Sequence, residues 1–505
     1  MLALCIAVLP GIFWMLRWPF QPMQDLGHHM ADSAIAADYS RPGSIYPALY
    51  TPLDRLCANS LMWSLAGLMG HVISVTLAVR ICLLAYVAGT PFAVLFALRA
   101  FGRSAWPAVA TAALVYAGLF AAGFANLLFA APFFVVALAQ FGRTLERPSR
   151  KRALWSGALF VLVFLAHAHA WMWLGALSMM LTARALMVAA WQRKGGRYLL
   201  QLCGWSLGCV ALSLLLFARW YHRTFMADQT GLQRKTAGLS EGFGAVFKSF
   251  AQSLHDLPEA LQAQRSGNDL MLLALFFVLA GFALSAQMIE RKRSRILELC
   301  CLVTAASYFF LPEWMSGHES IASRQPCIAL WIFPALLEPV SAALSPRVRR
   351  VVIGGTLALT AAWLFSFGTA LWHFETEEAA GLAEVLDAAP PRAMLHMVKL
   401  DPDSRYFTWH SLWHVEKYVM SEKLGQTPDT TGILTTSPIH YLPGINIHRV
   451  TQHTNDWPGI NEIWTAFDVV LVRRWRPSPR ALQVAQMRGH LLAKSGDWEL
   501  WSTKQ

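Results

Sequence analysis

The chain has 505 residues, of which 55% are hydrophobic and only 14% charged. Soluble domains carry about a quarter charged residues, so a water-soluble protein is excluded and the bulk of the chain must face lipid. The net charge of +12 sits largely in clusters at 143–152, 193–197, 291–295 and 347–350. These lie between apolar stretches, as cytoplasmic loops do; the bilayer is the expected partner, and nucleic acid is not.

A helix needs about 20 apolar residues to span the bilayer. Such stretches lie at 2–17, 74–98, 106–122, 124–141, 154–168, 171–190, 199–218, 269–288, 297–312, 326–344 and 351–373, which predicts an α-helical polytopic membrane protein with about eleven spans. The first stretch has almost no basic residue before it and no small-residue cleavage site after it. It reads as a retained helix, and the missing basic residues give the expectation of a truncated or mis-set start. His167-Ala168-His169-Ala170 divides the apolar run 154–190, and Gly123-Phe124-Ala125-Asn126 divides 106–141. Residues 56–70 are shorter and interrupted by Asn59, Ser60 and Ser64. They read as an interfacial helix.

Orientation follows from charge. The loops at 99–105, 142–153, 191–198, 289–296 and 345–350 are short and basic, hence cytoplasmic. The loops at 18–55, 219–268 and 312–325 are longer and richer in Asp, Glu, His and Pro, and lie outside. The chain thus divides into a membrane domain, 1–373, and a small extracytoplasmic α/β domain, 374–505. In that tail, 375–388 and 478–494 read as helices; 394–400, 467–472 and 498–501 read as strands. None of the eight cysteines lies in the tail, so it folds without disulfides.

The polar residues capable of chemistry gather on the outer side. The first outer loop offers Asp25, His28 and His29, followed by Asp32 and Asp38; the turn offers His167 and His169; the loop 312–325 offers Glu313, His318, Glu319 and Arg324. Asp25 and His28, three apart, share a helix face. Asp25 reads equally as a helix cap or as a general base. His167 and His169 are either contacts to substrate or turn residues bonded to backbone and water; a metal held by His28 and His167 is the weaker alternative. Arg324 suits a phosphate and equally a lipid anchor. Arg80, inside the span 74–98, is a second candidate for phosphate. The tail segment from Trp409 to His414 reads as a packed amphipathic helix rather than a sugar-binding face. There is no P-loop, no GxSxG elbow and no HExxH.

The layout resembles the GT-C superfamily of membrane glycosyltransferases, which use polyprenyl-phosphate sugars. The closest likeness is to a bacterial multi-pass branch with a first-loop Q-D-x-x-H pattern, matched by Gln24, Asp25 and His28. That branch also carries a G-F-x-N-x-L-x-x-x-P break, matched by Gly123, Phe124, Asn126, Leu128 and Pro132. An A-H-x-H helix end (Ala166, His167, His169) and a late outer-loop arginine (Arg324) complete the likeness. Many GT-C enzymes pair two acids in the first loop. Here Asp25 is followed by Leu-Gly-His-His, which puts the usual metal-and-base arrangement in question or hands part of it to histidine.

The resemblance implies a GT-C-like membrane domain and inverting transfer from a polyprenyl-phosphate sugar to an envelope glycan, lipid or protein at the outer face of a bacterial inner membrane. Asp25 would be the base. Arg324 or Arg80 would stabilise the leaving phosphate, with His28, His29, His167, His169, His318 and Glu319 contacting substrate or phosphate. A divalent metal near His28 and His167 is a further expectation. The alternative is a non-catalytic membrane component of envelope polysaccharide assembly or export.

Overall fold

The computed structural model describes residues 1–223, 245–287, 295–315, 320–337, 346–398, 403–423, 425–427, 467–474 and 489–504. Helices dominate, in this order: α1 (Leu2–Arg17), α2 (Leu26–Asp38), α3 (Leu61–Met69), α4 (Val75–Val87), α5 (Gly89–Ala100), α6 (Ala125–Glu146), α7 (Arg150–Ala166), α8 (Ala168–Trp191) and α9 (Gly196–Tyr221). There follow α10 (Phe250–Leu261), α11 (Asn268–Gln287), α12 (Ile296–Ser307), α13 (Gln325–Ile332), α14 (Pro346–His373), α15 (Leu382–Asp387) and α16 (Tyr418–Lys423). Every expected apolar stretch meets helix. Among the described residues, five helical stretches are long and apolar enough to cross a membrane: 75–100, 125–146, 168–191, 196–221 and 346–378. α3 has nine residues, under half of what a span requires.

The hub is α6. It packs against α4, α5, α7 and α8, and nearly all its side chains are buried. α9 is the opposite case: Leu200, Leu207 and Leu215 point outward. An exposed apolar face on a helix of 26 residues is what lipid covers.

The stretch 106–122 is less regular than hydropathy suggests. It runs as a 3-10 turn (Trp106–Ala110) and two short helical turns (Thr111–Leu114 and Gly118–Ala122), ending at Gly123 in the left-handed region, φ +78°.

Connections sort onto two ends, as the alternation of loops requires. At one end Arg103, from the turn after α5, makes a buried ion pair with Glu298 of α12, and its guanidinium also reaches the Ala335 carbonyl at 3.4 Å. At the other end β1 (Ala245–Val246) pairs antiparallel with β2 (Trp314–Met315), joining two of the expected outer loops. The tail is fastened to the same end. Thr408 N–H donates to the Ala263 carbonyl at 2.9 Å, Gln426 donates to the Tyr50 hydroxyl at 2.8 Å, and Phe407 packs edge-on against Phe367 and Phe374.

The tail contains a four-stranded sheet: β3 (Leu395–Val398), β4 (Val469–Arg473), β5 (His490–Ser495) and β6 (Trp498–Ser502), in the order β3-β4-β6-β5. β3 and β4 are parallel and the other pairs antiparallel. β4 is buried along its length, as its near-continuous apolar run requires.

Two expectations change. The described end of the expected helix 478–494 is β5, because Gly496 (φ +55°) turns the chain back and lets 490–495 pair with β6; residues 475–488 lie outside the described residues. The expected helix 375–388 is broken at Gly381 (φ +79°), where a Cβ would lie 2.5 Å from the Ser495 hydroxyl.

Burial makes the Arg103–Glu298 pair sensitive to losing one partner. Arg103→Ala or Glu298→Ala alone should destabilise the protein by about 3–5 kcal/mol, while Arg103→Met with Glu298→Leu should recover most of it. Thermal unfolding in detergent measures this.

Candidate active site

Asp25 stands at the N-cap position of α2, but its side chain makes no hydrogen bond into the helix. The backbone before it is fixed from outside. Gln24 N–H and Asp25 N–H donate to the carbonyls of Ala121 and Ala122 at 2.9 and 3.3 Å. Those residues end at Gly123, where a Cβ would lie 2.5 Å from the Asp25 nitrogen. The left-handed turn is therefore what allows the first outer loop and the helix break to touch.

The next residue, Phe124, carries the Arg324 guanidinium over its ring at 4.4 Å and meets Trp409 edge-on at 6.4 Å. A desolvated contact of this kind is worth about 2 kcal/mol. Burial pushes the Arg324 pKa down to about 10, against the opposing charges of Asp25 and Glu313. It therefore remains a cation at neutral pH, within electrostatic reach of the Asp25 carboxylate. Glu313 is held in place by Ser323, whose hydroxyl and N–H donate to it at 2.7 and 3.1 Å.

One turn into α2, His28 Nε2 lies 3.0 Å from His414 Nε2, and His414 Nε2 is 3.9 Å from Asp25 Oδ1. His414 comes from the tail, in a segment of turns rather than the expected amphipathic helix. Behind it, fully buried Lys417 places Nζ 3.1 Å from His414 Nδ1 and 3.3 Å from Glu416 Oε1. Gly27 makes this docking possible. A Cβ there would lie 2.0 Å from the His414 carbonyl oxygen.

His169 joins the group by another route. It is buried, and its Nε2 lies 3.0 Å from Gln325 Nε2, next in sequence to Arg324. His167 caps α8, its Nδ1 accepting from Ala170 N–H at 3.4 Å. The turn beside it is tied to the helix break through Asn59, whose side-chain oxygen accepts from Ala168 N–H and whose carbonyl accepts from Asn126, at 3.0 and 3.2 Å.

Other expected residues lie apart from this group. Arg80 donates to the carbonyls of Trp18 and Leu16 at 2.9 and 3.4 Å, satisfying the C-terminal end of α1. Burial lowers the His29 pKa to about 4, so His29 is neutral at pH 7 and can act only as a hydrogen-bonding group, not as a cation. His318 and Glu319 lie outside the described residues. Among the described residues no group of three or more His, Cys, Asp or Glu side chains could hold a metal ion, so His28 and His167 find no third ligand there.

The arrangement puts a carboxylate next to an imidazole pair and within electrostatic reach of a half-buried guanidinium. That set can accept a proton at Asp25 and stabilise an anion at Arg324. From the sequence, His414 and Glu416 read as part of an amphipathic helix, and Lys417 is not singled out. The weak signal was a tail segment, Trp409 to Lys417, holding two histidines and an adjacent Glu-Lys within nine residues.

No protein-family model and no curated protein matches the sequence. Solved structures do match its fold. ArnT from Cupriavidus metallidurans in the apo state superposes with a TM-score of 0.58 at 12% identity, over 99% of this chain and 97% of that one. The same enzyme bound to undecaprenyl phosphate gives 0.57 at 13% identity, with the same coverage. The chain has a GT-C fold. Likeness over nearly the full length includes the tail, so the α/β sheet belongs to the shared architecture.

Two predictions follow from the packing around α2. Gly27→Ala overpacks the contact with His414 and should destabilise the protein by about 1–3 kcal/mol, with faster proteolysis near 403–417. His29 is favoured as the neutral ring in the folded state and titrates near its ordinary 6.5 when unfolded. Its contribution is therefore complete above pH 6.5 and is lost as pH falls from there towards 4. His29→Gln should flatten the fall in melting temperature over that window.

Proposed function

We propose that the protein is a membrane glycosyltransferase that moves a sugar from a polyprenyl-phosphate donor to an envelope acceptor, with Asp25 as general base. The observation that carries this reading is that the Asp25 carboxylate heads α2 without capping it and lies within electrostatic reach of half-buried Arg324. The fold likeness to an enzyme solved with undecaprenyl phosphate supports the choice of donor class.

In the proposed step an acceptor hydroxyl attacks the anomeric carbon while Asp25 takes its proton. The new carbon–oxygen bond forms as the bond from that carbon to the phosphate oxygen breaks, and the polyprenyl phosphate leaves with the bonding electrons. Attack opposite the leaving group inverts the anomeric centre. Arg324 stabilises the charge on the departing phosphate, a task suited to a guanidinium held in low dielectric. Gln325 and His169 hold the start of α13 in place behind it. Arg80 is not needed for this role.

The same reading places residues 1–373 in a bacterial plasma membrane and 374–505 on the extracytoplasmic side. Charge alternation along the chain supports that sidedness, as does the gathering of the expected outer loops at one end.

The test uses undecaprenyl phosphate as probe and membranes of the source cell, with their own lipid-linked sugars, for turnover. Asp25→Asn should keep binding of undecaprenyl phosphate and lower transfer by about 10²–10⁴-fold. Arg324→Leu should weaken binding as well. Normal transfer by Asp25→Asn at normal protein level would remove Asp25 from the mechanism, whereas no transfer by the wild type would favour a non-catalytic role in polysaccharide assembly.

A further inference from the structure

The contact between His28 and His414 joins residues 386 positions apart, and the chemistry behind it fixes which atom carries each proton. Lys417, paired with the Glu416 carboxylate at 3.3 Å, is an ammonium: three donors and no acceptor. Its Nζ lies 3.1 Å from His414 Nδ1, so that nitrogen must accept. A neutral imidazole that accepts at Nδ1 carries its proton on Nε2. That N–H lies 3.0 Å from His28 Nε2 and 3.9 Å from Asp25 Oδ1. His28 Nε2 therefore accepts, and His28 carries its own proton on Nδ1.

We propose that His414, delivered by the C-terminal segment, is a positioning residue for the transfer reaction: Lys417 fixes its proton on Nε2, and that N–H holds His28 in a single tautomer beside Asp25. The inference rests on the reading of Asp25 as base. Its consequence is a division of labour. With Nε2 occupied by the His414 N–H, His28 is not a second base, and proton abstraction is left to Asp25. The groups facing the pair are Asp25 on the same helix and Glu416 and Lys417 from the tail.

The docking is built for this geometry. Gly27 lets the His414 backbone lie directly on α2, with the position of a Cβ only 2.0 Å from its carbonyl oxygen. Gln24 Oε1 accepts from His410 N–H at 3.1 Å. The His414 ring and its backbone are thus both held against the residues that surround Asp25. A lysine with no exposed surface is costly to bury unless paired, and here its partners are Glu416 and the histidine it orients.

The experiment is nitrogen-15 NMR of histidine-labelled full-length protein in proteoliposomes, with the His414 signals assigned by their loss in His414→Gln. The wild type should show His414 protonated on Nε2 and bare on Nδ1, and Lys417→Met should mix the two tautomers. In source-cell membranes, His414→Leu should lower transfer by about 10-fold or more, with undecaprenyl phosphate binding unchanged. His414→Gln, whose amide still donates towards His28, should restore most of the rate. A wild-type His414 protonated on Nδ1, or doubly protonated, overturns the proposal. So does a full rate in His414→Leu. The wild-type spectrum, which decides the proton assignment, needs neither turnover nor a folded variant other than His414→Gln. If Asp25→Asn transfers normally while the tautomer is as stated, the reading of Asp25 fails and the proton assignment stands.

Discussion

Gly27 has no side chain, and the carbonyl oxygen of His414 lies where one would begin. That contact brings the tail onto α2, and much of the site depends on it. It seats His414 against His28, puts buried Lys417 and Glu416 behind the pair, and leaves Asp25 at the head of the helix without a capping hydrogen bond. On the other side, the left-handed turn at Gly123 fits against the Asp25 nitrogen and presents Phe124 to Arg324. The carboxylate is thus held between a tail segment and a helix break, both docked through glycine.

This construction explains how a chain of mostly apolar helices can carry a defined polar centre. Helices in lipid satisfy their own backbone, so the irregular segments have to be stabilised by one another. Asn59 does this between the helix break and the histidine turn. Ser323 and Glu313 do it within the loop that leads to Arg324. The Arg103–Glu298 pair plays the corresponding part at the opposite end. A site on such segments keeps its geometry only if every one of these ties is made.

The helices were legible because lipid imposes a length and an apolar character that sequence states directly. The break at Gly123, the division at His167–His169 and the buried strand around Val469–Arg473 were legible for the same reason: each is a local departure from a strong pattern. Asp25, His28 and Arg324 could be singled out by their placement next to spans. Their grouping could not be derived from distance along the chain. The residues that orient them, His414 and Lys417, come from a segment whose pattern reads equally well as an ordinary packed helix, and only the fold shows its neighbour. Arg80 is the ambiguous case, because an intramembrane charge can serve a helix end as readily as a ligand, and here it donates to the end of α1. Residues 490–494 misled because a short amphipathic stretch at a sheet edge has no period of its own once a glycine turn pairs it with β6.

The central claim is that Asp25 and Arg324 face the same reacting phosphate. A structure of this protein with undecaprenyl phosphate bound tests it directly. The account predicts the phosphate within hydrogen-bond distance of the Arg324 guanidinium, on the side that faces the Asp25 carboxylate. A phosphate seated instead against Arg80, or remote from both residues, would contradict it.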